Sequence, residues 1–291
     1  MIRATVIRTI FSLVGLALAI VPTPAAAALL LQYDFDEAVG PIALDTSLAL
    51  PPANGTLTGA ATRTTNTPGV LSPFAVDFTG EPAYAHVLAG DVDKVDGLGS
   101  FTLTTWLNLQ ADPTGSAKRL LAKQASSTFS GFNWSIHNAT STSGSLDASN
   151  FRMAMFIGGS TAFAFGYSDA STGADNEWRF LAVSYDGASG ETKYYTGSPT
   201  DSVTQLGSTL TIGAGAVTAN SALLGVGYTD AAPGSDTSVP GYQDDIRVYD
   251  NLLSLAELDT VRLAVVPEPS ALVLLASGAI ALWAGWRKGS R

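Results

Sequence analysis

The chain has 291 residues, no cysteine, two histidines and a formal net charge of −10. Disulfides, thiolate catalysis and thiolate metal ligation are therefore excluded, as is any site built from several histidines. The carboxylate surplus lacks the basic footprint that nucleic-acid binding requires, so no nucleic acid is expected as a partner.

In chain order, Arg3 and Arg8 bracket the start of an apolar run, residues 10–21, that ends at Pro22 and Pro24. Ala25 to Ala28 then supply A-x-A cleavage sites, the order of a secretory signal peptide over residues 1–28. Cleavage there starts the mature chain near Leu29. Short runs with turn residues between them follow, at 29–35, 74–78, 101–109, 132–137, 151–157, 162–167, 179–185, 192–196, 222–228 and 243–249. Many such strands predict an all-β sandwich or barrel over residues 29–265. Within 101–109, Phe101, Leu103, Leu107 and Leu109 share one face and Thr102, Thr104, Trp106 and Asn108 the other. Asp91, Asp93 and Asp96 superficially follow a calcium loop, but the third acid is one place late and position twelve is Thr102 rather than Glu. Ser254 and Glu257 form a capping box that opens a helix with Leu255, Leu258 and Val261 on one face.

The last segment, 266–291, combines Pro267-Glu268-Pro269, the charge-free stretch Ser270–Trp286 and the basic Arg287, Lys288 and Arg291. That stretch lies near the lower limit, ~17 residues, for a transmembrane helix. The basic residues after it mark the cytoplasmic side. The arrangement resembles the PEP-CTERM sorting signal. The resemblance implies export to the envelope, cell surface or matrix of a bacterium, a membrane stage through the C-terminal helix, and cutting near Pro267, Glu268 and Pro269 by an exosortase-type enzyme.

Several stretches resemble the laminin-G-like, concanavalin A-like jelly-roll family: Leu31-Gln-Tyr-Asp-Phe-Asp-Glu37, Asp45-Thr-Ser47, Phe74-Ala-Val-Asp-Phe78, Phe101-Thr-Leu-Thr-Thr-Trp-Leu107, Asn176-Glu-Trp-Arg-Phe-Leu-Ala-Val-Ser-Tyr-Asp-Gly187 and Gly241-Tyr-Gln-Asp-Asp-Ile-Arg-Val-Tyr249. The fold implied is a two-sheet antiparallel jelly-roll sandwich. Alternation around Ile246 and Val248 puts Asp244 on their core side, where a carboxylate needs a partner. The resemblance makes Asp45 its companion at a calcium site, the one cofactor implied. Trp134, Tyr167, Tyr194 and Tyr195, with Tyr228, are candidates for an aromatic platform under a sugar. Trp106 and Trp178 match scaffold positions. No Glu-x-Asp-x-x-Glu strand and no G-x-S-x-G elbow occurs, so Asp34 and Asp36 read as strand-end polar groups and His137 as a half-exposed strand-end residue. The expected function is a non-enzymatic surface or matrix module that binds a polysaccharide or surface protein. The alternatives are a carbohydrate-active enzyme and a purely structural surface protein.

Overall fold

The computed structural model describes residues 27–80, 85–110, 117–125, 130–139, 146–158, 163–230 and 238–266. Residues 1–26 of the signal peptide and 267–291 of the sorting segment, with Pro267, Glu268, Pro269 and the stretch 270–286, lie outside the described residues. Among the described residues no helix is long and apolar enough to cross a membrane.

Among the described residues sixteen strands form, beginning with β1 (Leu29–Tyr33), β2 (Ile42–Ala43), β3 (Gly55–Thr58), β4 (Thr62–Thr64), β5 (Ala75–Asp77), β6 (His86–Asp91), β7 (Ser100–Leu109) and β8 (Ala117–Gln124). There follow β9 (Gly131–Asn138), β10 (Phe151–Gly158), β11 (Phe163–Tyr167), β12 (Arg179–Asp186), β13 (Glu191–Gly197), β14 (Thr204–Thr211), β15 (Leu223–Val226) and β16 (Gly241–Tyr249), then the helix α1 (Leu255–Leu263). The first sheet runs β14-β13-β12-β7-β16-β5-β4, with β1 also paired to β16; the second runs β11-β10-β9-β8-β15-β6-β3-β2. Both sheets are antiparallel, and the non-sequential order brings strands distant in sequence side by side, as in a jelly roll.

Period-two alternation builds the core between the sheets. Phe101, Leu103, Leu107 and Leu109 of β7 point inward with Phe132, Trp134 and Ile136 of β9 and Met153 and Met155 of β10, and all are buried. The opposite side of β7 carries Trp106 into a second cluster with Phe180, Tyr195, Leu258, Val261, Val265 and Val266. Helix α1 therefore covers the outer face of the first sheet. Its capping box is formed: the Ser254 hydroxyl accepts from the Glu257 amide at 3.3 Å, and the Glu257 carboxylate accepts from the Ser254 amide at 2.8 Å. Leu258 and Val261 are buried as expected, whereas Leu255 is 49 % exposed in the first turn.

Strand β16 departs from simple alternation. A bulge between Asp244 and Arg247 in its pairing with β7 coincides with a left-handed Asp245, φ 46°. Asp244 consequently pairs with Trp106, on the helix side, while Ile246 and Val248 stay in the inter-sheet core. Asp244 is fully buried, but on the opposite face from the one that unbroken alternation gives.

Candidate functional site

With the first sheet covered by α1, the outer face of the second sheet is where alternation sends polar side chains. On β9, Asn133, Ser135 and His137 take that direction because Phe132, Trp134 and Ile136 fill the core. The register extends the face sideways. Ser135 lies opposite Arg119 of β8 and Ala154 of β10, and His137 lies opposite Ala117 and Arg152. Further out, Ala154 faces Tyr167 and Phe156 faces Phe165 on β11.

These side chains touch. The Arg152 guanidinium sits 4.1 Å from the centre of the Tyr167 ring, and His137 meets that ring edge-on at 5.0 Å. Phe156 and Phe165 stack at 5.3 Å with an interplanar angle of 13°, and Phe165 meets Tyr167 edge-on at 5.8 Å. Phe165 is 48 % exposed. Tyr228 lies over the same face further along, because a Cβ added at Gly225, opposite Ala122, would meet the Tyr228 Cβ at 2.8 Å. The Ser135 hydroxyl is 3.0 Å from His137 Nε2. Burial, then Arg119 and Arg152, push the His137 pKa down to about 3, so its ring is neutral across the physiological range. His137 is buried, not half-exposed.

Of the five expected platform aromatics, Tyr167 and Tyr228 lie on this face. Trp134 is fully buried, opposite Met155 and Leu121, and belongs to the core. Tyr194 is equally buried and its hydroxyl donates to the Gly166 carbonyl at 2.6 Å, tying β13 of one sheet to β11 of the other. Tyr195 points the other way into the cluster beneath α1, with its hydroxyl 3.2 Å from that of Ser184. Tyr194 and Tyr195 are enclosed because the first sheet is packed on both faces, and Trp134 because its position on β9 of the second sheet faces the inter-sheet core.

The acidic residues sort into three separate groups. The Asp45 side chain is fully buried and accepts from the amides of Gln32, Ser47 and Ala53 at 3.2, 3.1 and 2.9 Å, and from the Lys94 ammonium. Burial alone would raise its pKa; Lys94 and the Ala53 amide bring it below the ordinary value. Asp244 instead accepts from Ser72 Oγ at 2.7 Å and the Asp245 amide at 2.8 Å, with Asp36 Oδ1 3.5 Å from the same serine oxygen. Gln32 links Asp45 to Asp245 rather than to Asp244. Asp45, saturated by three amides and an ammonium, has no oxygen free for an ion, so these residues do not fit the calcium pair that the resemblance implies. The third group, Asp91, Asp93 and Asp96, gathers its oxygens within 4.8 Å. The Lys123 ammonium bridges Asp91 at 2.8 Å and Asp96 at 2.6 Å, which puts a protein cation where a metal would otherwise be sought.

A family model described as the concanavalin A-like lectin/glucanases superfamily matches residues 79–259, more than half of the chain. The chain belongs to this superfamily. A second model, the PEP-CTERM protein-sorting motif, matches residues 265–288 and marks the protein as exported and sorted to the bacterial envelope or surface, with exosortase processing. No curated protein matches the chain at the level of sequence. Among solved structures, a Trypanosoma rangeli sialidase in complex with 2,3-difluoro-KDN superposes with a TM-score of 0.53 at 15 % identity, over 82 % of this chain and 32 % of the sialidase. The binding domain of botulinum neurotoxin serotype D/C superposes with a TM-score of 0.52 at 10 % identity, over 82 % of this chain and 52 % of that domain. The chain thus spans about a third of the sialidase and half of the toxin domain, and the likeness is one of fold.

Within this concanavalin A-like domain, the outer-face residues Arg119, Arg152, Phe156 and Phe165 escaped the sequence reading. For Arg152 and Phe156 a signal was present: Phe151, Met153, Met155 and Ile157 alternate cleanly, which sends 152, 154 and 156 outward. For Arg119 it was hidden by the bulge between Arg119 and Leu121, which leaves Leu120 and Leu121 both in the core.

Proposed function

We propose that this domain is a non-enzymatic glycan-binding module displayed at the cell envelope, and that the outer face of its second sheet is the binding surface. The observation that carries the reading is the exposed ring of Phe165, set edge-on to Tyr167 and beside Arg152, Ser135 and His137 on one sheet face. Sugars bind by stacking an apolar ring face on an aromatic platform while a few polar groups fix the hydroxyls. Around Trp106, Phe180 and Tyr195 the outer face of the first sheet is covered by α1, whereas the outer face of the second carries the exposed Phe165. Among the described residues, β8 to β11 present arginine, histidine, serine and aromatic side chains here, and no pair of carboxylates to act as acid and nucleophile. The sorting motif puts the protein at the envelope or surface of a bacterium, and an exopolysaccharide met there is the ligand this reading proposes.

The test is a glycan array probed with the detergent-solubilised full chain and its Phe165→Ala variant. Binding that is lost in the variant is expected. Absence of binding to every glycan, or binding untouched by Phe165→Ala, would overturn the assignment of this face.

A further inference from the structure

In a chain with 25 acidic residues, two arginines of this face stand apart from the others. Elsewhere Arg63 meets Glu37, Lys94 meets Asp45, Lys123 meets Asp91 and Asp96, Arg247 meets Asp245 and Arg262 meets Asp259. Arg119 and Arg152 have no carboxylate partner among the described residues. Instead they lie on the strands either side of β9, one opposite Ser135 and the other opposite His137.

Their donors are withheld from solvent without being satisfied. Arg119 Nε and Nη1, Arg152 Nε and His137 Nδ1 are all buried atoms with no hydrogen-bond partner among the described residues. Leaving one member of a buried charged pair unmet is among the costlier arrangements in a folded protein. Burial depresses the Arg119 pKa to about 10, so the group stays charged at any physiological pH. Two cations also sit on either side of a neutral imidazole whose Nε2 is engaged by Ser135. In the tautomer where Ser135 donates to Nε2, His137 Nδ1 is a further unmet N–H donor. A set of unmet N–H donors, three of them on two planar guanidinium forks, is complementary to an oxyanion.

We propose that Arg119 and Arg152 hold the anionic group of an acidic saccharide, a uronate carboxylate or a sulfate ester, while Phe165 and Tyr167 take the face of its ring. This rests on the glycan-binding reading above and adds the class of sugar. Cost in the free protein and gain in the complex then have the same origin, since the anion satisfies what the fold leaves open.

The solubilised full chain is titrated with dextran, dextran sulfate and polygalacturonate, alongside Arg119→Gln, Arg152→Gln and Arg152→Lys. The expected result is at least tenfold tighter binding of one or both acidic polymers than of dextran. Each Gln variant should weaken that binding tenfold or more, and Arg152→Lys should weaken it less. The preferred polymer separates carboxylate from sulfate. Melting temperatures give an independent readout: Arg119→Gln, relieved of an unmet buried charge, should melt no lower than the parent. If dextran binds as well as the acidic polymers and the variants change nothing, the acidic class is wrong while the glycan reading stands. If no polymer binds, both fall. If Arg119→Gln melts lower and still binds the acidic polymer, the arginine is structural and the proposal is overturned.

Discussion

The Arg152 guanidinium lies 4.1 Å above the Tyr167 ring, on the sheet face that α1 leaves uncovered. A cation over an aromatic face contributes ~0.5–2 kcal/mol according to its exposure. Tyr167→Phe keeps the ring and should leave the melting temperature nearly unchanged. Tyr167→Ala removes the surface on which Arg152 is held and should lower stability by about 1 kcal/mol while reducing glycan binding severalfold. Equal binding by Tyr167→Ala and the parent, measured by titration calorimetry, would remove Tyr167 from the site.

Trp134 gives the opposite pattern. Its side chain is fully buried in the inter-sheet core, so Trp134→Ala should cost ~3–5 kcal/mol in denaturant unfolding. Tyr194→Phe deletes the donor to the Gly166 carbonyl that joins the two sheets, at a cost of about 1–3 kcal/mol. Both variants, wherever folded, should bind glycan like the parent.

How far the sequence could be read depended on whether alternation ran unbroken. Along β7 it did, and Trp106 faces away from Phe101, Leu103 and Leu107, as expected; that the helix covers it is a finding of the structure. Ser254 and Glu257 likewise fixed the start of α1, because a capping box is a local device with a local signature. Along β16 the left-handed Asp245 inserts a residue, and one slip moves Asp244 to the other face. The platform aromatics failed for a different reason. Residue type says that Trp134 and Tyr194 want partners, but only the stacking of two sheets and a helix decides whether those partners are protein or ligand. Lys123 shows the same limit, since nothing in its strand announces that it will sit among Asp91, Asp93 and Asp96.

The two acids around Ser72, buried Asp244 and exposed Asp36, predict an unusual pH dependence. Burial, followed by Asp245, raises the Asp244 pKa well above the ordinary carboxyl value, and burial, followed by Asp34, raises Asp36 to about 6. Both bind a proton more tightly folded than unfolded. Their contribution is therefore complete below the unfolded carboxyl range and is lost as pH rises through about 6 and beyond. Asp36 is solvent-exposed and its share is screened, so buried Asp244 dominates. The melting temperature should fall between pH 5 and pH 8, and Asp244→Asn should flatten that fall by stabilising the protein at pH 8. A parent whose stability rises over this interval would contradict the assignment.

Calcium should leave the parent unmoved, because three amides and Lys94 saturate Asp45, and Lys123 occupies the space between Asp91 and Asp96. Lys123→Met strips the ammonium from carboxylates that lie within 4.8 Å of one another. That loss should cost about 3 kcal/mol, the scale for breaking a buried ion pair. Millimolar calcium should recover part of it in the variant alone. A calcium-dependent rise in the parent's melting temperature would instead restore a native metal site.

Sorting and folding meet within two residues of each other. The sorting-motif match begins at residue 265, yet Val265 and Val266 are buried in the cluster under α1, and the Val265 carbonyl accepts from the Leu71 amide at 3.2 Å. Gly69 permits this approach, since a Cβ there would lie 2.3 Å from the Val265 oxygen. Cutting at or beyond Pro267 removes none of these contacts, so the processed and unprocessed domains should melt at the same temperature. Pro267→Ala combined with Pro269→Ala should leave unprocessed protein in the membrane fraction; unchanged release would argue against recognition at this motif. Gly69→Ala addresses the junction from the domain side. The added methyl must displace Val265 and Val266, at the ~1–3 kcal/mol typical of overpacking. It should therefore lower the melting temperature and, by loosening the residues just before the motif, speed processing. A Gly69→Ala protein that melts like the parent would show that Val265 and Val266 are not held against the domain.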